Sequence, residues 1–171
     1  MAKKSKKDLI LAIDPGDRET AFVVMDENYL IYDKDKVENQ LVLDYMCQYR
    51  DDIGHVVTEM IASYGMAVGA NVFETCVMIG AIERTADLLG IPRSRVYRAE
   101  EKVYICHDSR AKDSNIRRSL IDRFASHDKN RGTGTKNNPD HFYGFRKDIW
   151  AAYAVGVVHL DKMRENAARE L

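Results

Sequence analysis

Apolar residues fall in short runs separated by charged stretches, and the period within each run names its element. Leu9-Ile10-Leu11-Ala12-Ile13 is continuously apolar and predicts a fully buried strand; Thr20-Ala21-Phe22-Val23-Val24-Met25 predicts its returning hairpin partner. Tyr29-Leu30-Ile31-Tyr32 predicts a third short strand, after which charged residues from Asp33 to Glu38 turn the chain. Leu41, Val42, Tyr45, Met46 and Tyr49 recur at helical spacing and predict a helix over 39–50, closed by Gly54. His55-Val56-Val57-Thr58-Glu59-Met60-Ile61 is β-branched and apolar, a buried strand interrupted by an acid.

Residues 63–70 hold two glycines and predict a flexible loop ending at Asn71, a helix cap. The helix that follows, over 71–89, carries Val72, Phe73, Cys76, Val77, Ile79, Gly80, Ile82, Ala86 and Leu89. That apolar surface is wider than one sheet face needs, so part of it is expected to meet a second subunit. Gly90-Ile91-Pro92 ends it, 95–98 reads as a strand, and 111–125 reads as an amphipathic helix built on Ile116, Leu120, Ile121 and Phe124. Residues 126–144 are irregular and long enough to be functional or disordered. A final helix over 148–165 carries Trp150, Ala151, Ala152, Ala154, Val155, Val158 and Leu160. Antiparallel strands followed by alternating helices and parallel strands make an α/β, three-layer fold.

Length and charge narrow this further. With 171 residues, the chain suits one domain over 8–171 preceded by a basic arm over 1–7, whose four lysines lead into the first strand without the apolar stretch of a secretory signal. The formal net charge of -1 announces no nucleic-acid partner, so one would have to be met by local clusters of Lys and Arg. Cys47, Cys76 and Cys106 are odd in number and set in apolar contexts, which predicts buried thiols in a reducing, cytoplasmic compartment. No run approaches the roughly 20 apolar residues of a spanning helix, so no membrane partner is expected.

Three acids sit where a carboxylate is costly. Asp14 ends a buried strand at Ile13-Asp14-Pro15-Gly16, Glu59 lies within an apolar run, and Asp148 opens an alanine-rich helix. Each has a plain alternative: a turn opener for Asp14, a structural ion pair for Glu59, a helix-dipole partner for Asp148. Taken together, buried carboxylates neutralise unless a cation holds them ionised, and a divalent ion would do so. Hard cations such as magnesium and manganese take oxygen ligands, and phosphodiester cleavage commonly uses two of them roughly 3.5–4 Å apart.

The order of these motifs resembles the RuvC-type Holliday-junction resolvases over nearly the whole chain: an Ile-Asp-Pro-Gly strand end, a Glu on a later strand, a Gly-containing loop before a long helix, and a C-terminal Asp-x-x-Ala-Ala-x-Ala-Val helix. Val72-Phe73-Glu74-Thr75, Ala111-Lys112-Asp113-Ser114-Asn115-Ile116-Arg117 and Tyr143-Gly144-Phe145-Arg146-Lys147-Asp148 are similar to its bacteriophage branch. The resemblance implies a ribonuclease-H-like mixed sheet with helices on both faces, and a homodimer that nicks two symmetric strands of a four-way DNA junction with Mg2+ or Mn2+, leaving 5'-phosphate and 3'-hydroxyl ends. It implies metal ligation by Asp14, Glu59 and Asp148, with Lys112 near the developing oxyanion. The family usually places a second acid three residues after the first C-terminal one; this chain has Ala151 there, which makes Asp140 a candidate replacement and also leaves room for a junction-binding protein that does not cut.

Phosphate contacts are expected from Lys112, Arg117, Arg118, Lys129, Arg131, Lys136, Arg146 and Lys147. Tyr64, in the loop after Glu59, is the candidate wedge between bases of an opened junction, with Phe73 expected in the core. The helix over 71–89 is the expected dimer interface, on the ground that two-fold symmetric DNA suits a two-fold symmetric enzyme.

Overall fold

A computed structural model of the protein describes residues 9–170; the basic arm over 1–7 lies outside the described residues. Strands β1 (Leu9–Asp14), β2 (Glu19–Met25), β3 (Ile31–Glu38), β4 (Ile53–Met60) and β5 (Arg93–Tyr97) form one sheet in the order β3-β2-β1-β4-β5. β1 pairs antiparallel with β2 and parallel with β4, while β3 and β5 extend these pairings outward. Helices α1 (Asn39–Gln48) and α2 (Ala70–Leu89) cover one face; α3 (Arg98–Cys106), α4 (Asp113–Phe124) and α5 (Lys147–Arg169) cover the other.

Strand alternation assigns each side chain to a layer. Ile10 and Ala12 join the core under α5, whereas Leu11 and Ile13 join the core under α1 and α2. Asp14 has the parity of Ala12, and Glu59 that of Val57, so both acids face the α5 side. Gly156 lets α5 approach β1 closely: a Cβ there would lie 2.7 Å from Met25 Sδ and 3.0 Å from Ala12 Cβ.

Several elements depart from the sequence expectation. β3 covers the charged residues 33–38, because an edge strand with solvent on its outer side tolerates alternating Asp and Lys that blunt edge pairing. Gly54 lies inside β4, the cap of α2 is Gly69 in place of Asn71, and β5 starts two residues early. Arg98, expected to end that strand, instead opens α3, and the rest of the helix, 99–106, carries no element in the sequence reading. Cys47 and Cys76 are exposed and Cys106 is half-buried, so none is the buried thiol expected. Among the described residues, no helix is long and apolar enough to cross a membrane.

Candidate active site

Asp14 is held where the sheet ends. Pro15 and Gly16 stop β1, and the carbonyl of Glu19 comes so near Gly16 that a Cβ would sit 2.3 Å from it. Thr20 Oγ1 donates to Asn39 Oδ1 at 2.8 Å, and Asn39 Nδ2 donates back to the Gly16 carbonyl at 3.1 Å, which ties the turn to the start of α1. On the adjacent parallel strand Thr58 pairs with Ile13, so the next residues, Asp14 and Glu59, leave the carboxyl ends of neighbouring strands side by side.

The two carboxyls share a hydrogen bond. The Asp14 carboxyl is pushed up to about 9, first by burial, then by Glu59, and further by Asp148 and Glu101. Asp148, in the first turn of α5, lines the same cleft, and its Oδ2 receives Lys36 Nζ at 2.6 Å from β3. Lys36 is held above the ordinary lysine range, chiefly by that bond.

Asp140 does not join them. Its Oδ2 lies 2.7 Å from His127 Nε2, its Oδ1 accepts from the His141 amide, and it lines no part of the cleft, so it organises the loop over 126–144. The acid that does appear is Glu101 on α3, fully buried and pushed up to about 8 by burial and Glu59 against the pull of Arg98. Arg98 pairs with both Glu101 and Asp113. Nothing in the residue pattern points to Glu101, because the cap position of α3 is Tyr97, which lacks the usual capping side chain; Glu100 alone marks the start, accepting from the Tyr97 amide at 2.7 Å.

An open cleft of about 610 Å3 runs over these acids, lined by Asp14, Glu59, Arg98, Asp113, Ser114, Arg117, Lys147, Asp148, Trp150 and Ala151. Arg117 lies 4.8 Å over the Trp150 ring and Lys147 stands at the start of α5, so these two expected phosphate contacts face the acids. Lys112 caps α4 one residue before the lining, with its side chain exposed. Arg118, Lys129, Arg131, Lys136 and Arg146 are exposed outside the cleft lining. Tyr64 is 69% exposed beside Met66 in the loop after β4, and Phe73, expected in the core, is 62% exposed on the outer face of α2.

Among the described residues, no three His, Cys, Asp or Glu side chains converge tightly enough to hold an ion as they stand. Lys36 draws on Asp148 and Arg98 on Glu101, while Asp14 and Glu59 close on each other through a hydrogen bond. The donor set nevertheless fits a hard divalent cation. It is all carboxylate oxygen, its crowding raises the proton affinity of Asp14 and Glu101, and Glu101 Oε1 is buried with no partner. A cation would relieve each of these.

No family model matches the sequence, and no curated protein is significantly similar to it. Solved structures are similar. RuvC of T. thermophilus in complex with a Holliday junction substrate superposes with a TM-score of 0.68 at 12% identity, covering 92% of this chain and 96% of that one. A second Thermus thermophilus RuvC structure gives 0.65 at 14% identity over the same shares. The yeast mitochondrial Holliday junction resolvase Ydc2 gives 0.47 at 12% identity, covering 99% and 87%. The mixed five-stranded sheet, its helices on both faces and its likeness to RuvC along nearly the full length assign this chain the ribonuclease-H-like α/β fold.

Proposed function

We propose that this protein is a divalent-metal-dependent endonuclease that resolves four-way DNA junctions, in the manner of the bacteriophage RuvC-type resolvases. The observation that carries the reading is the hydrogen-bonded Asp14–Glu59 pair at adjacent strand ends, joined by Asp148 in a cleft with Arg117 and Lys147 on its walls. Asp14, Glu59 and Asp148 would hold Mg2+, or Mn2+ in its place. Such an ion, when bound, supplies an activated water and countercharge for the leaving oxygen.

The remaining steps belong to the chain. Asp14 and Glu59 give up the proton they share and present two carboxylates. Asp148 exchanges Lys36 for the site, freeing a cation at its rim. Arg117, fixed by stacking on Trp150, and Lys147 seat the scissile phosphate, with Lys112 near the oxygen that gains charge. Tyr64 and Phe73, exposed on the loop and helix next to the cleft strand, suit an opened base stack. Further along α2, the outer face leaves Val77 and Leu88 in solvent, which supports a homodimer with two sites for two equivalent strands.

The test is a panel of end-labelled four-way junctions, Y-forks, flaps and duplexes with Mg2+ or Mn2+. Paired symmetric nicks confined to the junction support the proposal. Comparable cutting of forks makes the protein a general branch nuclease, and tight junction binding without cleavage makes it the binding protein that Ala151 allows.

A further inference from the structure

We propose that Glu101 is a ligand of the divalent ion, supplied by α3 in place of the acid that Ala151 leaves out of α5; the inference rests on the metal-dependent reading above. Glu101 is 0% exposed, and only one of its oxygens is used. Oε2 accepts from Arg98 Nη1, while Oε1 is buried with no hydrogen-bond partner. Arg–carboxylate pairs are frequently bidentate, which uses both carboxylate oxygens. Arg98 instead divides itself, Nη1 to Glu101 and Nη2 to Asp113, and leaves Oε1 free.

The surroundings decide what that oxygen can accept. Glu101 is within electrostatic reach of Asp14 and Glu59, and Arg98 and Asp113 line the same cleft. An unpaired buried carboxylate oxygen among carboxylates is costly, and a metal ion is the partner this chemistry lacks. Ala151 presents only a methyl group to the cleft, and Asp140 is engaged with His127, so neither completes the acidic set. Arg98, which lines the cleft, is then a positioning residue: it holds one Glu101 oxygen and leaves the other for an ion.

The experiment is isothermal titration of the full chain with Mn2+, comparing wild type, E101Q and D14N, each first shown folded by thermal melting. E101Q keeps the size and the acceptor for Arg98. The expected result is that E101Q binds Mn2+ at least about tenfold more weakly than wild type, as loss of a ligand should, while D14N loses binding more severely. Wild-type binding with E101Q within about threefold of it overturns the role of Glu101 and leaves the metal-dependent reading intact. Wild-type protein that binds no Mn2+ at millimolar concentration overturns both. Should E101Q not fold, wild-type crystals grown in Mn2+ decide: Glu101 Oε1 within about 2–2.6 Å of the ion supports the assignment, and a separation beyond about 4 Å overturns it.

Discussion

Replacing Asp14 by Asn should make the metal-free protein more stable, although the residue is central to the site. In the folded chain Asp14 keeps its proton to about 9, against 3.8 for the free group. Holding that proton at pH 7 costs folding about 1.4 kcal/mol for each pH unit above the unfolded value, an upper figure of about 4 kcal/mol. An amide removes the cost and can still donate to Glu59. Since Glu59 and Asp148 partly relax around the wild-type acid, about 2 kcal/mol is the expected gain, or a rise of about 4–8 °C in Tm for a domain of this size. A raised carboxyl pKa stabilises below the unfolded value and loses that contribution as pH rises, so the gap between D14N and wild type should widen from pH 4 to about 9. Urea unfolding in chelator across that range measures it. Adding Mg2+ should then stabilise wild type and not D14N. A D14N protein that is less stable than wild type without metal, or that gains equally from Mg2+, would refute the idea of a crowded cation-seeking pocket.

Other outcomes follow from other parts of the fold. His159 stacks on His55 with centroids 4.3 Å apart and Ser94 bridging, and burial, His55 and Lys162 lower it to about 4. Its neutral form is the folded one, so stability should fall by up to about 3 kcal/mol as pH drops from about 6.5 towards 4, and the pH slope of urea midpoints should flatten in H159F. Gly156→Ala should cost about 1–3 kcal/mol in thermal melts, since its methyl would overlap Met25 and Ala12, with no cost meaning that α5 can shift away. Tyr64→Ala should weaken junction binding about tenfold in titrations at fixed salt and leave duplex binding unchanged, the loss of one stacked base; equal losses on both would remove its wedge role.

Much of the architecture is legible because the central strands, covered on both faces, are continuously apolar, while the helices bury one stripe at a 3.6-residue period. Leu9–Asp14 and Glu19–Met25 fall where the apolar runs place them, and the acids of β1, β4 and α5 meet because each sits at one end of an element that must be buried. β3 escapes the apolar pattern because, as an edge strand paired only with β2, it is largely exposed and carries charged residues. α3 is hidden in the sequence because it is short and polar and follows Tyr97, a poor capping residue, and Glu101 is hidden with it. Phe73 was expected inside because a helix apolar on most sides does not say which stripe the sheet takes. Here Met78, Ile79, Ile82 and Ala86 take it and Phe73 faces out. Asp140 is near Asp148 in sequence but not in the cleft, because the loop folds it onto His127.

The most direct measurement is the anomalous scattering of crystals grown with Mn2+. A peak within about 2–2.6 Å of both Asp14 and Glu59 oxygens, with Asp148 released from Lys36 towards it, is the expected result. Carboxyls that stay hydrogen-bonded to each other at millimolar Mn2+, with no peak between β1 and β4, would contradict the proposal that this cleft works through a metal ion.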